Sequence, residues 1–203
     1  MWKKHPKALP FLFFSEMWER FGYYLMIGIF TLYLKDVKAG YAMTEAESAD
    51  LYGTFIALVF LTPFIGGLLA DRYLGYRKSI IMGGLMMGIG YCLMSVHNIA
   101  MLYLSMTLVI VGNGFFKPNI STLLGNVYTT PQYIKQKDDR YNIFYMGINI
   151  GAFVCNFFGA ALYIVYGWGA AFIAAGVGMF IGVAIFLIGT KHYIAFDVKK
   201  GVT

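Results

Sequence analysis

The sequence predicts an all-α membrane protein of six transmembrane helices. An apolar composition, six long hydrophobic segments and a one-sided distribution of cations carry that expectation. Of 203 residues, 59% are hydrophobic and 13% charged, with a mean hydropathy of +0.65. A soluble domain carries roughly 25% charged residues. Apolar surface on this scale exceeds what one water-facing core can hide, so lipid is the expected solvent. Cys92 and Cys155 both fall in apolar stretches and read as small core residues, not as a disulfide or metal pair. The first apolar run contains charges and lacks a small-residue cleavage site. It is expected to stay as a helix.

A spanning helix needs about 20 apolar residues. Segments 10–34, 51–70, 79–96, 101–124, 141–165 and 169–190 meet this, as one bundle over 1–203. Short loops join them, so sequence neighbours are expected to be antiparallel neighbours in space. Lys3, Lys4, Lys7, Arg72, Arg77, Lys78, Lys135, Lys137, Arg140, Lys191, Lys199 and Lys200 all lie on one side. On the other, Lys35 and Lys38 stand beside Asp36, Glu45, Glu47 and Asp50. The positive-inside rule then puts both termini in the cytoplasm, with the protein in the cell (inner) membrane. The net charge of +6 is thereby a topology signal. Membrane lipid is an expected partner, and nucleic acid is not.

Arg20 and Lys117 are the cations left inside spans. A charge at a helix centre costs at least about 2.5–3.5 kcal/mol on insertion scales, so it needs partners, water or a task. In the first span Glu16, Glu19, Arg20, Tyr23 and Tyr24 fall at i, i+3, i+4, i+7 and i+8, on one helical face. Glu16 and Arg20 can pair, and two acids against one base leave a spare carboxylate. Such a group can take up a proton, as a proton-coupled device requires. The plainer alternative is a salt bridge that only locks the bundle.

The fourth span reads Gly112-Asn-Gly-Phe-Phe-Lys117-Pro118-Asn119. Pro118 removes the partner of the Gly114 carbonyl and predicts a bend. Lys117 either serves a site or snorkels to the interface. Asn149 in the fifth span either serves a site or bonds across helices. Depth joins the three. At about 1.5 Å rise per residue, Glu19 and Arg20 lie roughly 14 Å from the basic side, Lys117 roughly 10 Å and Asn149 roughly 12 Å. A shared central site predicts such a common level. The loop after the second span, Gly67-Leu-Leu-Ala-Asp71-Arg72-Tyr-Leu-Gly75-Tyr-Arg77-Lys78, sets one acid among cations at a glycine turn. It reads as a gate latch or as an ordinary basic loop. His5, His97 and His192 lack metal-ligand spacing. With no P-loop and no Ser/His/Asp set, neither an enzyme nor a cofactor or metal is expected.

Glu16-x-x-Glu19-Arg20-Phe21-x-Tyr23-Tyr24 resembles the E-x-x-E-R-F-x-Y-Y motif of the proton-dependent oligopeptide transporters. Phe116-Lys117-Pro118-Asn119 and Phe144-Tyr145-x-x-Ile148-Asn149-x-Gly151 resemble that family's fourth- and fifth-helix signatures. The loop with Gly67, Asp71, Arg72, Gly75 and Arg77 resembles the major facilitator loop motif. The resemblance implies the N-terminal bundle of a major facilitator fold, built from 3+3 inverted repeats. It implies proton-coupled uptake of di- and tripeptides, with protons as coupling ion. Arg20 and Lys117 would hold the peptide carboxylate, and Tyr23, Tyr24 and Asn149 would line the pocket. Glu16 and Glu19 would couple the proton by trading partners with Arg20 and Lys117. Phe60 stands where relatives often carry a tyrosine facing the site. A C-terminal six-helix half is the implied partner. Alternatives are another anionic solute, such as nitrate, and a non-transporting scaffold or sensor half-bundle.

Overall fold

A computed structural model describes residues 4–197. Lys3, Lys199 and Lys200 of the basic side lie outside the described residues. The helices are α1 (Ala8–Lys35), α2 (Glu45–Leu69), α3 (Tyr76–Leu93), α4 (Ile99–Val127), α5 (Lys137–Tyr166) and α6 (Trp168–Gly189), with no strand among the described residues. Local chemistry sets several ends. Thr44 and Glu47 form a reciprocal capping box at the start of α2. Asn98 accepts from the N–H groups of Ala100 and Met101 to start α4. Beyond Leu69 the chain makes a π-helical turn, Ala70–Leu74, and stops at Gly75 (φ 81°). That left-handed φ favours glycine. Asp71 thus sits inside a helical extension and not at the end of α2, where the sequence placed it.

Four helices, α2 with its extension and α4, α5 and α6, are long and apolar enough to cross a membrane. α1 falls short because of its charged stripe, and α3 because its 18 residues include Arg77 and Lys78 in the first turn. The six helices still form one membrane bundle.

Packing does not follow sequence order throughout. α3 lies along α4, α1 along α5 and α6, α2 along α4, and α3 along α6, while α1 and α2 barely touch. Small residues direct this. A methyl group on Gly66 of α2 would collide with the Gly114 carbonyl of α4, and one on Gly83 of α3 would stand 2.5 Å from the Gly112 carbonyl. On α5, a methyl at Gly151 would strike the Met17 carbonyl and stand 3.2 Å from Arg20 Cβ. Close backbone approach of this kind drives helix association where lipid supplies no hydrophobic incentive. Exchanging α1–α3 with α4–α6 maps the α1·α5 pairing onto α4·α2 and α1·α6 onto α4·α3, as a 3+3 repeat requires.

Pro10 lies in the first turn of α1, where its missing N–H has no helical partner to lose, while the two mid-helix prolines, Pro63 and Pro118, sit at the α2–α4 seam. Pro63 in α2 deprives the Val59 carbonyl of its helical donor, and Asn113 Nδ2 of α4 supplies one at 3.0 Å. Thr62 Oγ1 donates to the Ile110 carbonyl at 2.9 Å beside it.

Candidate functional site

The charged stripe of α1 points into the bundle. Glu16, Glu19 and Arg20 are 2%, 0% and 3% exposed. The sequence suggested an i,i+4 pair between Glu16 and Arg20. It forms, with Arg20 Nε 3.4 Å from Glu16 Oε1, but Glu19 is the main partner. Arg20 donates to Glu19 through Nε and also through Nη2, at 2.5 Å to Oε1. Glu16 keeps a spare acceptor, since its Oε2 has no hydrogen-bond partner among the described residues. The rings of Tyr23 and Tyr24 lie 5.0 and 6.0 Å from the guanidinium carbon and shield the pair with cation–π contacts. Tyr23 is buried, whereas Tyr24 is 37% exposed.

Lys117 of α4 completes the charge set from across the bundle. It feels the fields of Arg20, Glu19 and Glu16. Among the described residues it makes no ion pair with any of them. Its ammonium is half-buried and lies 5.5 Å from the ring of Phe60, which is 68% exposed. An ammonium beside an aromatic face with no carboxylate attached is available to an incoming anion. Arg20, by contrast, is engaged by two acids.

Asn149 stands apart. Gly151, two residues on, packs against Arg20, so this part of α5 runs level with the α1 charges. The Asn149 side chain turns outward, into a groove of about 400 Å³ lined by Asn142, Tyr145, Met146, Ile150 and Phe153. It makes no hydrogen bond among the described residues. Tyr91 of α3 was not singled out from the sequence. It is fully buried, faces Glu19 and Arg20, and leaves its hydroxyl unpaired among the described residues. A lone tyrosine in an apolar helix offers no periodic signal that would have found it.

The Gly67–Lys78 segment, read from the sequence as a loop, is the end of α2, the π-helical turn and the start of α3, at the basic end of the bundle. Tyr76, just after the Gly75 turn, is buried with its side chain near Asp71 and Asn126 of α4. The chain following α6 packs onto this segment. Asp197 Oδ1 accepts from the N–H groups of Tyr76 and Arg77 at 2.7 and 3.2 Å, and Asn126 donates to the Phe196 carbonyl at 3.2 Å. Arg72 is exposed, and Arg77 is half-buried with Nε unpaired among the described residues. Gly67 of α2 borders Pro118 of α4. Neither Cys92 nor Cys155 is in a disulfide.

A model of the POT family matches residues 77–203, from the start of α3 onward. The chain belongs to the POT family. Relatives extend the match to α1. The chain is 41% identical over 186 residues to the dipeptide and tripeptide permease A of Citrobacter koseri, covering 91% of this chain and 36% of that protein. It is 37% identical over 190 residues to the permease of the same name from Pectobacterium carotovorum, covering 93% and 37%. The crystal structure of a peptide transporter POT in complex with sulfate superposes with a TM-score of 0.93 at 34% identity, covering all of this chain and 42% of that one. A POT family transporter in complex with 5-aminolevulinic acid gives 0.93 at 26% identity, with 100% and 42% covered. The POT chain here thus spans little more than a third of the length of the curated relatives it matches. The names those relatives carry are those of permeases and transporters, not of enzymes.

Proposed function

We propose that this POT chain forms one wall of a proton-driven symporter for di- and tripeptides. The observation that carries the reading is the unequal state of two cations facing the same acids. Arg20 is locked by Glu19 and Glu16, while Lys117 is free of ion pairs among the described residues. Lys117 receives the peptide carboxylate first. The bound carboxylate and the buried acids then compete for the two cations. Protonation of Glu16, whose Oε2 is already unpaired, weakens its hold on Arg20 and lets the guanidinium turn to the substrate. Tyr24 and Phe60 line the way in, and Asn149 offers its amide from the α5 groove. A second six-helix bundle supplies the opposite wall, and rocking of the two bundles gives alternating access. The basic end, with Lys4, Lys7, Arg72, Lys78 and Lys191, faces the cytoplasm of the cell membrane.

The test is uptake of a labelled dipeptide into proteoliposomes holding the intact gene product under an imposed pH gradient, inside alkaline. Gradient-driven accumulation is expected, and Lys117→Ala is expected to abolish it. Undiminished accumulation by that variant would remove Lys117 from the coupling role. Competition by mixed dipeptides, but not by nitrate, is expected if peptides are the substrate.

A further inference from the structure

Pro63 lies inside α2 and has no N–H, so the carbonyl of Val59, four residues earlier, has no donor within its own helix. Val59 is 3% exposed, so water does not replace that donor. The replacement comes from α4, where Asn113 Nδ2 donates to Val59 O at 3.0 Å. Asn113 is itself 1% exposed, and its Oδ1 has no hydrogen-bond partner among the described residues. An amide half-satisfied in an apolar interior is unfavourable on its own account, and the bond to Val59 is the gain that offsets it.

We infer that Asn113 is a positioning residue for the anion site: it closes the gap that Pro63 opens in α2 and so holds Phe60 beside Lys117. The role in substrate binding rests on the transport reading above. Phe60 follows Val59 directly, and Lys117 comes one helical turn after Asn113. The bond therefore joins the turn that carries the ring to the turn before the one that carries the cation, which stand 5.5 Å apart. The neighbouring Thr62–Ile110 bond cannot substitute. It adds a donor to a carbonyl of α4 and leaves the Val59 carbonyl as bare as before. The Gly66–Gly114 contact next to it sets how closely the helices approach, but offers the Val59 carbonyl no donor.

The test uses the intact gene product with Asn113→Leu, an apolar residue of similar volume, and Pro63→Ala, which returns the missing N–H to α2, singly and together. KM and kcat for dipeptide uptake are measured, along with amide exchange over residues 55–69 by mass spectrometry. Asn113→Leu is expected to raise KM about five- to tenfold, with little change in kcat, and to speed exchange in α2. Pro63→Ala is expected to stay near the native values. The double variant is expected to return to within about twofold of Pro63→Ala alone, because α2 then satisfies Val59 itself. If Asn113→Leu fails to fold, recovery of folded protein in the double variant reads the same coupling. An Asn113→Leu defect that persists undiminished beside Pro63→Ala, or no change in KM and exchange, overturns the proposal. Exchange does not depend on transport. A wild-type protein that accumulates no dipeptide sinks the transport reading, while the exchange cycle still decides whether Asn113 closes the Pro63 gap.

Discussion

Arg20 has two carboxylates within reach and divides itself unequally between them. Glu19 takes two guanidinium donors and Glu16 takes a longer contact, with one oxygen left over. The two acids are therefore not interchangeable. Glu19→Gln leaves a buried guanidinium short of its main counter-ion and is expected to cost about 3–5 kcal/mol. Glu16→Gln removes a charge that is only half used and is expected to cost clearly less. Thermal melting of the two variants in detergent gives the order, and equal losses would contradict the geometry. The stripe itself was legible, because i, i+3 and i+4 spacing puts all three residues on one face whatever surrounds the helix. Which acid wins Arg20 was not legible, since that depends on side-chain rotamers and on the rings of Tyr23 and Tyr24. Asn149 shows the same limit. Its level in the membrane follows from counting residues, but its outward aim follows from the rotation of α5 about its axis, which Gly151 sets by packing on Arg20.

At the scale of elements, glycines decide where helices meet. A methyl at Gly151 has no space against Met17 and Arg20, so Gly151→Ala is expected to cost about 1–3 kcal/mol and to part α5 from α1 at the charge cluster. Gly53 of α2 has nothing within 4 Å, so Gly53→Ala is expected to be neutral or to stabilise by about 0.5–1 kcal/mol. Melting of the two variants side by side separates packing from helix propensity. The start of α3 makes a different point. Gly75 has no side chain with which to cap that helix, and Asp197 does so from 121 residues away. Asp197→Ala is expected to lose about 1 kcal/mol and to speed amide exchange at Tyr76 and Arg77. The sequence marked the Asp71 loop as a latch or plain basic loop. It held no sign that the cap of α3 comes from beyond α6, because a cap delivered across the fold leaves no local spacing to read.

Across the whole molecule the two charged helices occupy related places. Arg20 sits where α1 crosses α5, and Lys117 sits just past the point where α4 crosses α2, so the repeat that relates α1 to α4 brings one cation to each crossing. The end opposite the basic loops has its own tie. Asp36 accepts from the N–H groups of Lys38 and Ala39 and from the indole of Trp168, at 2.8, 3.2 and 2.8 Å. These bonds, the Lys38 N–H foremost, hold its carboxyl below the usual carboxylate range. A depressed folded-state value means the tie is intact at neutral pH and is lost as pH falls through that value. Trp168 fluorescence, followed with Trp2 and Trp18 replaced by Phe, is expected to shift only in strong acid. Asp36→Asn is expected to abolish the transition.

The bond from Asn113 to the Val59 carbonyl also couples the two positions in sequence change. A proline entering α2 at position 63 strands a buried carbonyl unless a donor already waits on α4. Of the four combinations of these two sites, proline at 63 without a donor at 113 is the one expected to be least stable. With both present, losing the asparagine is expected to cost more than losing the proline. Any reconstruction of this chain's ancestry that admits Pro63 without a donor at 113 describes an intermediate with a weakened seam between α2 and α4.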